Sequence, residues 1–99
     1  MELRDIEIFL ALAEELHFGR AAQRLHLSQA RISQSIKAQE RYYGATLVDR
    51  ANRRDIRLTP LGQQLHADLR PAHRALLQAQ ERARRVAADR SGAGSGNTF

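Results

Sequence analysis

The chain has no cysteine, only two prolines, and a single lysine among its sixteen basic side chains. Without cysteine there is no disulfide framework, thiolate zinc site or cysteine nucleophile. Long apolar runs are missing too. The longest, IFLALA at 8–13, is far too short to span a bilayer. The opening residues, MELRD, lack the basic-then-apolar order of a signal peptide, so the default expectation is a cytoplasmic protein. The four histidines, His17, His26, His66 and His73, include no i, i+4 pair. His66 and His73 lie seven apart on one face, and two histidines without a third ligand make a poor metal site. Serines and acids occur, but their spacing supports no nucleophile-plus-base constellation. Neither an enzyme, nor a metal, nor a cofactor is expected.

What is present is charge, unevenly spread. The net charge of 99 residues is +5. Residues 1–16 carry net −4, residues 17–58 net +6, and residues 59–99 net +3. The positive charge begins where polar helices begin, which is an electrostatic footprint for a polyanion. Arginine, which makes up nearly all of it, suits bidentate contact to phosphate or guanine. A chain this short buries only a small core and gains from a partner subunit.

Periodicity organises the rest. Ile6, Phe9, Leu10, Ala13 and Leu16 recur at helical steps over 3–16, with Ile8 and Leu12 off that face. A second short helix is predicted in RAAQRLH, with Ala21, Ala22 and Leu25 on its buried side and Gly19 as punctuation before it. Ser28 is a good N-cap for a third helix, which runs to about Tyr43 and stops at Gly44. That helix carries a thin stripe, Ile32, Ile36 and Tyr43, with Gln39 where a hydrophobe is expected. Two strand-like pieces, 46–50 and 55–59, flank the polar loop ANRR. Thr59-Pro60 then opens a long helix as N-cap and N1. Within it Leu65, Leu69, Ala72, Leu76, Ala79, Ala83 and Val86 alternate steps of four and three, a heptad seam over three heptads. Pro71 interrupts the seam and should cost one backbone bond.

This order predicts a mainly α fold: a winged helix-turn-helix over 1–58, with three helices and a two-stranded wing. A linker and dimerisation helix over 59–90 and a disordered tail over 91–99 follow. The seam residues are the expected homodimer contact, with Ile8 and Leu12 as possible flanks; cover for the chain's own first helix is the alternative. The third helix explains its own polarity if it enters a major groove of double-stranded DNA, because most of its girth then faces the duplex. Gln29, Ala30, Arg31, Ser33, Gln34 and Lys37 form the expected DNA-facing set. Gln29 and Ser33 suit base edges, and Arg31 and Lys37 suit phosphate. Arg20, near the start of the second helix, and Arg53 and Arg54, at the wing tip, are further candidates for the backbone or the minor groove.

MELRDIEIFLALAEELHF, RAAQRLHLSQ, ISQSI, the spacing Gly44, Leu47, Arg50, and LTPLG at 58–62 together resemble the N-terminal region of LysR-type transcriptional regulators. The resemblance covers about residues 1–88. It implies a winged helix-turn-helix with a linker helix through which members dimerise. It also implies binding to interrupted inverted repeats in promoter DNA. Ala30 stands where the family often has Pro, Gln34 replaces a frequent Arg, and Gln39 replaces a core Leu. Gly19 replaces a common Thr, which is expected to weaken the second helix's cap. The family usually continues into a ligand-sensing domain about twice this length. Nothing in these residues could form one, so the expectation is either a DNA-binding piece of a longer protein or a short protein that lacks a sensor, with no effector site in this sequence. A sensor-less protein that pairs with a full-length relative, or a nonspecific DNA binder, are the alternatives to a specific dimeric reader.

Overall fold

The computed structural model describes residues 1–51 and 55–94, with side chains as far as residue 90. Arg53 and Arg54 lie outside the described residues. Four helices and one small sheet follow in order: α1 (Leu3–Glu15), α2 (Phe18–Leu25), α3 (Gln29–Tyr43), β1 (Val48–Asp49), β2 (Arg57–Leu58) and α4 (Pro60–Gly94). This is the winged helix-turn-helix with a long following helix that the order of signals predicts.

Helix α1 is the hub. It packs against α2, α3 and α4, and every residue from Ile8 to Ala13 is buried. One stripe cannot cover a helix with three neighbours, and the expected face is corrected here. Ile8 and Leu12 are fully buried inside the chain's own core, so they do not flank an external interface. Leu16 is instead exposed, because it is the left-handed cap that ends α1, at φ 51°. Helix α2 starts earlier than expected, so Gly19 lies inside its first turn. Its cap is His17, whose Nδ1 accepts the Arg20 backbone N–H at 3.0 Å. The missing threonine is therefore replaced from two residues upstream. A Cβ on Gly19 would stand 2.9 Å from His17 Cε1, so the bare glycine gives the ring its room.

The strands are short and antiparallel, pairing Val48 with Leu58 and Asp49 with Arg57. They are trimmed relative to 46–50 and 55–59 because a lone two-stranded ribbon holds little beyond its inner pairs. Thr59 closes the base of this wing. Its N–H donates to Leu47 O at 3.0 Å and its hydroxyl donates to Thr46 O at 2.8 Å. The same hydroxyl oxygen accepts from Gly62 N at 3.0 Å, which is the expected N-cap of α4.

Helix α4 runs through Pro71 and reaches Gly94. Residues 91–94 are thus helical rather than part of a disordered tail. Extending a formed helix adds a bond for each residue fixed, which carries it past weak formers at its end. The heptad seam divides into two parts. Leu65 and Leu69 pack against the head's core, while Ala72, Leu76, Ala79, Ala83 and Val86 are exposed.

Candidate nucleic-acid interface

The turn between α2 and α3 sets the presentation of α3. His26 takes the left-handed conformation at φ 57°, and its N–H donates to Ala22 O and Gln23 O. Leu27 N follows with a bond to Ala22 O at 2.9 Å. Ser28 then caps α3 by accepting the Arg31 N–H at 3.0 Å. Ala21 and Ala22 are small and buried, and Ile32 and Ile36 are fully buried opposite them. This close packing turns the remaining girth of α3 outward.

That girth holds the expected set. Gln29, Ala30, Gln34 and Lys37 are exposed, and Arg31 and Ser33 are half-buried. Among the described residues no hydrogen bond or ion pair engages the side chains of Gln29, Arg31, Gln34 or Lys37. Their donors and acceptors are available to a ligand. The Gln29 amide nitrogen lies 3.4 Å from where a Cβ on Gly19 would be, so the start of α2 borders the start of α3. Arg20 sits at this border but shares its charge with Glu15, at 3.6 Å. Tyr43, expected on the inner stripe, is instead exposed at the end of α3.

The inner side of α3 contains polar residues that periodicity did not assign. Gln39 is buried at 2 % exposure. Its Nε2 donates to Asp5 O at 2.9 Å and to Ser35 Oγ at 3.0 Å. Ser35 Oγ donates to Asp5 Oδ1 at 2.7 Å. Asp5, Ser35 and Gln39 thus pin α3 to α1, and Gln39 occupies the core position as a hydrogen-bond donor. The Ser35 hydroxyl first, and then the Glu2 backbone N–H, hold the Asp5 carboxyl below the usual range; partial burial opposes them and Arg31 assists. A depressed carboxyl stabilises the fold above its unfolded value, and this stability is lost as pH falls through the folded value. Wild-type protein is therefore expected to lose thermal stability below about pH 4, with a shallower loss in Ser35→Ala. Melting curves at stepped pH check this; equal acid slopes would refute it.

Glu40, the sole acid on α3, faces the wing. Its Oε2 accepts from Leu47 N at 2.7 Å and Val48 N at 3.3 Å, and its Oε1 accepts from Arg50 Nη1 at 3.3 Å. Arg50 also lies over the Phe18 ring, 5.7 Å from the centroid. The acid that could repel a polyanion is thereby used internally, and the outer face keeps only neutral and positive groups. Among the described residues no cluster of three or more His, Cys, Asp or Glu could hold a metal ion. No described helix is long and apolar enough to cross a membrane.

Residues 3–63 match the family model of the bacterial regulatory helix-turn-helix protein, lysR family. The chain belongs to the LysR family. It is 48 % identical over 86 residues to the uncharacterised HTH-type transcriptional regulator YnfL of Escherichia coli, covering 87 % of this chain and 29 % of that one. It is 42 % identical over 92 residues to the HTH-type transcriptional regulator AlsR of Bacillus subtilis, covering 93 % and 30 %. The LysR-family chain thus spans about three-tenths of the length of these curated relatives. Among solved structures, it resembles the BenM DNA-binding domain in complex with catB site 1 DNA at a TM-score of 0.83. There the identity is 30 %, over 88 % of this chain and 96 % of that one. The CbnR DNA-binding domain in complex with DNA matches at 0.77, with 34 % identity over 88 % and 99 %.

Proposed function

We propose that this LysR-family chain binds double-stranded DNA sequence-specifically, as a homodimer, in transcriptional regulation. The observation that carries the reading is the outer face of α3. It is capped, backed by Ile32, Ile36 and the Asp5–Ser35–Gln39 contacts, free of acids, and without internal partners among the described residues. Gln29 and Ser33 read base edges, glutamine favouring adenine, while the Ala30 methyl suits a thymine methyl and Gln34 is a second amide reader. Arg31, Lys37 and Arg20 meet phosphate, and Arg53 and Arg54 belong to the same role at the wing. Phosphate contacts then supply most of the affinity, and binding falls steeply with salt.

The homodimer forms through the exposed part of the α4 seam, from Ala72 to Val86, with Leu65 and Leu69 anchoring the seam to each head. Leu76→Arg is expected to give monomers and to abolish cooperative binding to a two-fold site. Equilibrium sedimentation checks the mass, and an unchanged dimer would remove Leu76 from the interface.

The experiment for the whole reading is selection from random duplex DNA near physiological salt. Enrichment of a two-fold symmetric motif supports it. Binding without sequence preference would replace it with a nonspecific binder, and no binding by folded dimer would point to a heterodimer partner.

A further inference from the structure

Two histidines that the interface does not use line the seam between the head and α4. His66 Nε2 lies 3.9 Å from Glu14 Oε2, and His73 Nε2 lies 3.7 Å from Glu7 Oε2. Both imidazole Nε2 atoms are buried and, among the described residues, have no hydrogen-bond partner. The glutamates are seven residues apart on α1 and the histidines seven apart on α4. The order is reversed, so the two helices run antiparallel and the pairs form two rungs about two turns apart, roughly 10 Å. Each glutamate is held from its other oxygen by an arginine of the head. Arg4 Nη1 lies 3.1 Å from Glu7 Oε1, and Arg24 Nη2 lies 2.8 Å from Glu14 Oε1. Arg4 also donates to Leu25 O at the end of α2, at 3.0 Å. The carboxylates are thereby fixed on the head, with their free oxygens aimed at α4.

Pro71 sits between the two rungs. It removes the backbone bond to the Ala67 carbonyl, so α4 is weakest where it lies against the head. One rung stands on each side of this point. Beyond His73 the helix overhangs by twenty-one residues, about 30 Å. A change of about 10° at the proline would move the far end by about 5 Å.

We propose that Glu7–His73 and Glu14–His66 form a two-rung brace that fixes the angle of α4 against the head, making His66 and His73 positioning residues for half-site spacing. The spacing clause rests on the dimeric DNA-binding reading above. The angle itself does not. Leu65 and Leu69 already seat the first part of α4 on the head's core, and the rungs add a polar hold on either side of the proline. Two contacts astride the proline hold both its direction and its bend.

The absence of cysteine gives a direct test. Spin labels at Gln23→Cys and Gln80→Cys, both exposed positions, report the head-to-helix distance when labelled chains are diluted into unlabelled protein. In His66→Leu/His73→Leu the distance distribution is expected to broaden by on the order of 5 Å. His66→Gln/His73→Gln, which keeps an N–H donor at similar reach, should restore the wild-type width. An unchanged width in the leucine pair overturns the brace. Should that pair fail to fold, Glu7→Ala/Glu14→Ala, which removes the acceptors, reads the same quantity, with the same two outcomes. Selection with variable half-site spacing completes the test. The leucine pair should keep the half-site sequence and half-site affinity but lose the sharp spacing preference. Broadened labels with unchanged spacing would overturn the positioning role. If no protein, wild type included, selects a two-fold motif, the dimeric reading fails while the label distances still decide the brace.

Discussion

Replacing Gly62 with alanine is expected to destabilise the protein by about 2–4 kcal/mol, against the gain of about 1 kcal/mol that alanine normally brings inside a helix. Gly62 is buried in the first turn of α4. A Cβ there would fall 2.2 Å from the Leu47 carbonyl oxygen, 3.1 Å from its carbon and 3.3 Å from Leu58 Cβ. The obstacle is backbone and cannot rotate away. That oxygen also accepts the Thr59 N–H, so retreat of either element pulls apart the cap of α4 and the base of the wing. Gly44→Ala is the useful comparison. Gly44 has φ +74° but open space around its Cβ position, so alanine there costs only the left-handed backbone penalty, about 1–2 kcal/mol. Urea midpoints should rank wild type, then Gly44→Ala, then Gly62→Ala. A Gly62→Ala protein as stable as wild type would mean that the first turn of α4 and the Leu47 backbone are not in close contact.

The second large effect is expected at Glu40. Glu40→Ala removes the acceptor for the Leu47 and Val48 amides and the counterion of Arg50 at one stroke. Leu47 is fully buried and Val48 nearly so, so water cannot replace the lost acceptor without opening the fold. A buried amide left without its acceptor costs about 1–3 kcal/mol, and two lose theirs here. Glu40→Gln keeps one carbonyl oxygen for the amides and should lose less than half as much. Hydrogen exchange at the Leu47 and Val48 amides distinguishes this from general destabilisation, because those two sites should lose protection first. Because the same contacts hold the wing against α3, Glu40→Ala should also weaken the DNA binding proposed above more than Glu40→Gln does. Equal protection of both amides in wild type and Glu40→Ala would remove Glu40 as the tether.

Local chemistry was legible in the sequence. Ser28, Gly44 and Thr59-Pro60 announce helix boundaries because capping depends on residues next to the boundary. The helix order, the wing and the outward set on α3 follow from those boundaries. What periodicity could not reveal was the number of neighbours around a helix. Ile8 and Leu12 looked peripheral because the pattern shows one stripe, whereas α1 has three packed sides. The seam on α4 posed a related problem, since leucines spaced for a partner chain look the same as leucines spaced for the chain's own α1. Gln39 and Glu40 were illegible for another reason. Their partners are Asp5 on α1 and the backbone amides of residues 47 and 48, and no residue type marks a future acceptor for a distant amide. His17 as a cap was missed because imidazole is an uncommon choice there. The glycine two residues on was the available hint.

Among the described residues, every position from Arg74 to Arg90 on the far half of α4 is exposed, and little of the chain covers it. A helix in that condition is marginal in water, because propagation alone barely exceeds the cost of ordering the backbone. If the homodimer proposed above forms through this face, the order of the segment depends on how many other copies are nearby. Dilution would then act on it as a mild denaturant, melting the rod before the head.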